Sequence, residues 1–250
     1  MKNEKPKVAL ILQARMGSTR LPGKSMMDLG GAPLLGRIME RVKRCQNVDE
    51  IVMATTQKPQ DDVLAELAEQ YGIAVFRGSE NDLVDRYYQA AKSVGAQVIV
   101  RLPADNPTPE AAEIDRIIAF HLTANRGGFS SNLAQVMGNG YPDGIGAEVF
   151  DTDSLEQVWR TVTDPEPREH PHLSFFNYKE QKPANPDKYP VKTVLCPEAF
   201  RRPDLVLDVN TAEEYEFMKA LYEYMMPRKP DFTILDTIDW YDNVYRAGRS

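Results

Sequence analysis

Short apolar runs alternate with amphipathic stretches through the first hundred residues. Residues 8–12 (VALIL) are apolar and β-compatible, and the polar stretch beginning at Gln13 ends the run abruptly. The pattern then predicts a helix over 34–45, a strand over 51–55, a helix over 61–71, a strand over 74–77, a helix over 83–93 and a strand over 97–102. Such a rhythm builds parallel βαβ units. Asp61 and Asp62, ahead of Val63, Leu64 and Leu67, suit an acidic helix start, and Gly72 falls where a helix end needs positive φ. A further helix starts near Glu110.

From about 129 to 203 the alternation dissolves. Strand-like pieces at 129–133, 147–150 and 191–195 surround one helix at 153–162 and a proline-rich, histidine-containing loop at 164–171. The chain then returns with a strand at 205–209, a helix at 212–224 and a terminal stretch at 234–246. Trp240 and Tyr241 read as packing or dimer-interface aromatics. The chain is thus expected to form one α/β domain: a first half at 1–128, an excursion at 129–203 suited to substrate recognition and subunit contact, and a closing segment at 204–250.

Composition changes this picture little. At 250 residues the chain can bury one sizeable core, and no Pro/Gly/Ser-rich linker divides it. A formal net charge of −7 argues against a protein that coats nucleic acid while leaving room for a local cationic pocket. Cys45 and Cys196 form no CxxC or Cys/His cluster, so neither a disulfide framework nor a zinc site is indicated. The five apolar residues after MKNEKPK are too few for a signal-peptide core, and no run reaches the roughly 20 residues of a membrane helix. The expectation is a cytoplasmic chain with no membrane contact.

Candidate chemistry concentrates just after the first strand, in LILQARMGSTRLPGK (10–24). Arg15, Arg20 and Lys24 supply charge there. Gly17, Ser18 and Thr19 let a backbone approach anion oxygens closely, and the hydroxyls add donors. Pro22 and Gly23 then turn the chain back. No Walker loop and no GxGxxG fingerprint is present. Each cation alone reads as an ordinary solvated one, but three of them with a Ser-Thr pair between strand and helix point to phosphate binding.

In an open parallel sheet, ligands lie at the carboxyl ends of the strands near a switch in strand order. Spacing therefore places Arg15, Arg77 and Asp105 around one crevice. Asp105 follows an apolar strand, in a turn made by Pro103, Asn106 and Pro107, and reads either as a functional carboxylate or as a turn or cap residue before the next helix.

At this point the chain resembles the cytidylyltransferases that activate acidic sugars, including the 3-deoxy-manno-octulosonate and sialic acid types, and above all the spore-coat polysaccharide biosynthesis group. The likeness runs in order through the first loop, VFRGSENDLVDRYYQAA (75–91), RLPADNP (101–107), YPDGIGAEVF (141–150), REH (168–170) and LDVNTAEEYE (207–216). It implies a Rossmann-like fold of the GT-A nucleotide-diphospho-sugar transferase type, with a mainly parallel sheet. It also implies Mg²⁺-dependent transfer of CMP from CTP to an anionic sugar-like acceptor, and a homodimer.

By the same resemblance, the backbone at Leu12, Gln13 and Ala14 and the turn at Arg77, Gly78 and Ser79 read cytosine. Arg15, Ser18, Arg20 and Lys24 hold the triphosphate, with Arg15, Lys24 and Asp105 as the catalytic set. Arg77 reads equally as an ion pair with Glu80 or Asp82. The metal falls to Asp105, Asp208 and Asn210. Asn210 stands where an Asp is more usual, so the contact moves to Asp208, runs through a water or depends mainly on Asp105, or else Asn210 caps the helix after it. Tyr141, Asp143, Glu148, Arg168 and His170 are the acceptor candidates, His170 reading also as a plain loop residue. An HxH pair with His172 lacks a third ligand for a metal, and His121 reads as filling. Two other readings remain at this point: a glycosyltransferase, which the single Asp of RLPADNP disfavours, and a non-catalytic nucleotide-binding homologue.

Overall fold

The computed structural model describes residues 5–17 and 20–249. Four parallel strands form the base of the molecule: β1 (Val8–Gln13), β2 (Glu50–Thr56), β3 (Ala74–Gly78) and β4 (Val98–Pro103). The helices α1 (Leu34–Val42), α2 (Asp62–Gln70) and α3 (Leu83–Ser93) connect them, and α4 (Ala111–Ala124) leads out. The excursion contributes β5 (Phe129–Ser131), β6 (Glu148–Asp151), α5 (Thr152–Thr161), α6 (Pro165–Glu169), β7 (Phe176–Asn177), β8 (Lys182–Pro183) and β9 (Val191–Lys192). The chain closes with α7 (Ala212–Met225) and α8 (Ile234–Trp240).

The main sheet has the order β3-β2-β1-β4-β6-β5-β9, and β7 and β8 make a separate hairpin. The pairing is parallel from β3 to β4 and antiparallel on both sides of β6. This is an α/β protein with a mainly parallel seven-stranded sheet. Because β1 sits between β2 and β4, the chain reverses its direction of growth there. That reversal leaves a crevice at the carboxyl ends of β1 and β4.

Strand alternation sorts the core into two layers. Val8, Leu10, Leu12, Val98, Val100 and Leu102 face α1, α2, α4 and α7. Ala9, Ile11 and Ile99 face α3 and α5 on the other side. In that second layer Phe129 stacks on Phe150 and Phe175 with ring centroids 6.1 and 5.3 Å apart. Burying each such ring contributes about 2–3 kcal/mol.

Several boundaries differ from the sequence expectation for local reasons. α1 stops at Val42, since Arg44 and Cys45 donate to Arg41 and Val42 in a tighter turn. The segment 164–171 is not a plain loop: Pro165 opens α6, where its missing N–H costs nothing, and Pro171 opens a 3₁₀ turn. The expected strand at 205–209 is a single bridge, Asp143 to Val206. Gly72 does carry φ +67° at the end of α2. Trp240 is buried against Phe217 and Tyr245, the packing role. Burial pushes the thiols of Cys45 and Cys196 up to about 12 and about 11, which leaves neither a nucleophile. Among the described residues no helix is long and apolar enough to cross a membrane.

Candidate active site

The loop leaving β1 is pinned from below. Asp61, fully buried, accepts from the Met16 N–H at 2.7 Å and from the Thr56 hydroxyl, so the acid at the N-cap position of α2, ahead of Asp62 in the first turn, also holds the loop. Gly23, at φ +73°, turns the chain so that Lys24 points inward. The Lys24 Nζ donates to the Val209 carbonyl at 2.7 Å and lies 3.5 Å from Asp105 Oδ2. Residues at the end of β1, the end of β4 and the last third of the chain therefore meet at one ammonium.

The same meeting gathers carboxylates. The Val209 N–H donates to the Asp105 carbonyl at 2.8 Å, and the Asp143 N–H to the Leu205 carbonyl at 2.9 Å. Gly144 permits this approach: its φ is +93°, and a Cβ there would stand 3.0 Å from the Cβ of Leu207. Burial, then the charges of Asp143, Asp105 and Glu214, push the Asp208 carboxyl up to about 6. Burial likewise raises Asp143, against the Gly144 N–H, with Asp105 and Glu214 adding to the rise. Four acids, Asp105, Asp143, Asp208 and Glu214, thus repel one another while Lys24 pairs with Asp105, an arrangement short of positive charge.

Asn210 neither caps α7 nor points away. Thr211 is the cap, closing a capping box with Glu214, while the Asn210 amide donates to Asp208 Oδ2 at 2.5 Å and accepts from Arg20 at 2.8 Å.

Beside this cluster lies a cavity of about 350 Å³, a size suited to a small ligand. Gln13, Ala14, Arg15, Arg20, Lys24 and Asp105 line it, as the sequence led one to expect, together with His170. Arg15 spans its mouth, 4.0 Å from Glu80 and 3.5 Å from Glu169. Ser18 and Thr19 lie outside the described residues. Leu12 belongs to the core beneath rather than to the wall.

Other candidates stand elsewhere. Arg77 turns to Asp62 at 2.6 Å and donates to the Thr56 and Lys58 carbonyls, so it braces the loop after β2, and neither it, Gly78 nor Ser79 is on the cavity wall. Its expected partners Glu80 and Asp82 are taken by Arg15, Lys58 and Arg168. Tyr141 is buried in the core, donating to Glu113 and accepting from Arg116. Arg168 ties the end of α5 to α3, donating to the Trp159 and Val162 carbonyls and to Asp82. Glu148 is fully buried, its oxygens taken by Arg101 at 2.6 Å and Tyr178 at 2.7 Å. His121 is a core residue bonded to Ser130, and burial drives His172 down to about 4, keeping it neutral at physiological pH.

Two wall residues escaped sequence reasoning. Arg86 is 1 % exposed and donates to the Ser79 carbonyl at 2.8 Å, with its Nε unpartnered. Arg101 is 7 % exposed and its Nε is also unpartnered. Burial alone would lower Arg101, yet Glu148 and Tyr87 hold it firmly protonated. The available signal was a lone cation inside the apolar run of β4, which demands a buried partner.

A switch-point crevice with a cationic loop and clustered carboxylates suits a nucleotidyltransferase. The chain matches the cytidylyltransferase family over residues 9–231 and belongs to it. It is 34 % identical over 236 residues to the spore coat polysaccharide biosynthesis protein SpsF of Bacillus subtilis, covering 92 % of each chain. It is 36 % identical over 114 residues to the 3-deoxy-manno-octulosonate cytidylyltransferase of Geobacter sulfurreducens, covering 45 % of this chain and 44 % of that one. Among solved structures, a cytidylyltransferase from Leptospira borgpetersenii superposes with a TM-score of 0.82 at 32 % identity, covering 96 % of this chain and 95 % of that one. The CMP:2-keto-3-deoxy-manno-octonic acid synthetase complexed with CTP shares the fold, with a TM-score of 0.60 at 18 % identity.

Proposed function

We propose that this cytidylyltransferase couples CTP to an anionic sugar acid, forming a CMP conjugate and releasing pyrophosphate, for a surface polysaccharide or related glycan. The observation that carries the reading is the junction of Lys24, Asp105 and Asp208 beside a cation-lined cavity at the β1/β4 switch point. The spore-coat and octulosonate names borne by similar proteins support the acceptor class.

In this reading Lys24 and Arg20 bind the triphosphate and offset the charge that grows as the bond to pyrophosphate breaks. Arg15 turns from Glu80 and Glu169 to the phosphates. Arg86, held by the Ser79 carbonyl, adds positive charge at the same end. The backbone of Gln13 and Ala14 supplies a donor and an acceptor for cytosine. Asp143 joins the carboxylate cluster instead of contacting the acceptor, whereas His170 keeps the acceptor role from the cavity wall.

The donor set fits a hard divalent cation. Asp105 and Asp208 offer carboxylate oxygens, and burial together with the charges of Asp143, Asp105 and Glu214 raises Asp208, a strain that a bound cation would relieve. Mg²⁺ keeps waters and substrate phosphates as ligands, so it needs only one or two carboxylates from the protein. When bound, the ion supplies Lewis-acid stabilisation of the phosphate oxygens. Pyrophosphate release from purified protein with Mg²⁺ and each of the four NTPs, against a panel of ulosonic acids, tests the proposal. Release that does not depend on CTP refutes it.

A further inference from the structure

We infer that Asp61 is a positioning residue for the nucleotide: by fixing the backbone of Met16 it sets the loop after β1 in its binding shape before CTP arrives, an inference that rests on the CMP-transfer reading. An aspartate at a helix N-cap ordinarily accepts from the first backbone N–H groups of its own helix. Asp61 occupies that position in α2, yet its side chain makes no capping bond. Both oxygens go elsewhere. Oδ1 accepts from the Met16 N–H at 2.7 Å, and Oδ2 accepts from the buried Thr56 hydroxyl at the end of β2. A fully buried carboxylate has thus been taken out of water to serve a loop 45 residues earlier in the chain.

Arg15 and Gly17, on either side of Met16, line the cavity. A Cβ at Gly17 would stand 3.4 Å from Gln60 Nε2, so the tight turn Pro59–Asp61 is the platform on which the loop lies. The Met16 side chain extends the effect: its Cε is 3.7 Å from where a Cβ at Gly23 would sit, in the turn that points Lys24 inward. One bond to Met16 therefore fixes the backbone between Arg15 and Gly17 and supports the turn ahead of Lys24. The charge of Asp61 acts in the same place. Burial lowers the Arg86 guanidinium on the cavity wall and Arg15 adds to the fall, while Tyr87, Asp61 and Glu80 oppose it. A loop already held in its bound shape gives up less freedom when its ligand arrives, and the saving appears as affinity.

Calorimetry on the full chain with Mg²⁺, at a temperature where each protein is folded, measures the affinity of the wild type, Asp61→Asn and Asp61→Ala for CTP, ATP, GTP and UTP. Asp61→Ala is expected to bind CTP about tenfold or more weakly than the wild type. Asp61→Asn keeps an oxygen for the Met16 N–H and turns a donor to the Thr56 hydroxyl, so its affinity is expected within about threefold of the wild type. Hydrogen exchange of the Met16 amide in nucleotide-free wild type is expected to be slow, with CTP adding little further protection. A folded Asp61→Ala with wild-type affinity, an Asn variant as weak as the Ala one, or a Met16 amide protected only once CTP binds each overturns the inference. If Asp61→Ala does not fold, the exchange measurement and the Asn variant decide it. A wild type that binds ATP, GTP or UTP as tightly as CTP sinks the CMP-transfer reading, while an Asp61-dependent affinity for those nucleotides leaves the inference intact. A wild type that binds none of the four overturns both.

Discussion

Replacing Asp208 with asparagine tests the shortage of positive charge at the carboxylate cluster. The rise of its carboxyl from 3.8 to about 6 comes from burial first and then from Asp143, Asp105 and Glu214. For a group sealed from water this rise corresponds to about 3 kcal/mol. Asp208 is only half-buried, and solvent screening reduces the figure to about 1 kcal/mol. The folded chain keeps this proton to about pH 6, whereas the unfolded chain releases it near 4, so stability falls as pH rises across that window and is level above it. The introduced side-chain amide retains an oxygen for the Asn210 donor, so the substitution removes charge without removing the hydrogen bond. Urea unfolding of metal-free protein at pH 7.5 should show the variant about 1 kcal/mol more stable than the wild type, or about 2–4 °C higher in Tm, with the difference vanishing near pH 4. Mg²⁺ should raise the Tm of the wild type and do less for the variant. A variant less stable at pH 7.5, or a difference that ignores pH, refutes the electrostatic account.

Other outcomes are equally specific. On the proposed function, Asp105→Asn should cut CMP transfer about a hundredfold or more while circular dichroism stays unchanged, because that reading gives the side chain a charge role rather than a packing one. Gly144→Val should cost about 1–3 kcal/mol in urea unfolding, since it forces a β-branched residue into φ +93° against Leu207. Phe129→Ala should cost about 3–5 kcal/mol by opening the stack with Phe150 and Phe175. Arg77→Met should lower stability by about 1 kcal/mol through the loop it braces and leave KM for CTP unaltered; a large rise in that KM would restore Arg77 to the nucleotide site.

Most of the scaffold was legible because its signals are local. Apolar alternation located β1 to β4, and the α3 boundaries at Leu83 and Ser93 match the expected 83–93. Legibility declined where a residue's duty is set by a distant partner. Nothing near Asp61 announces that its carboxylate holds the backbone of Met16. Arg168 reads as an anion binder until α3 presents Asp82 and α5 presents two carbonyls. Glu148, within a glycine-rich turn and strand, looks available until Arg101 and Tyr178 consume it. The site loop was readable because three cations lie within ten residues of one another, whereas Arg86 reaches the same cavity from a helix whose pattern gives no such hint, and Arg101 shows only as a lone cation in the apolar run of β4.

The bond from Lys24 to the Val209 carbonyl joins positions 185 residues apart. During translation the β1–β4 scaffold leaves the ribosome long before residue 209 is made. A nascent chain therefore displays the cationic loop without the clasp that orients its lysine until synthesis is nearly finished. A chain that ends between β4 and Val209 carries all four parallel strands but lacks the carbonyl that holds Lys24.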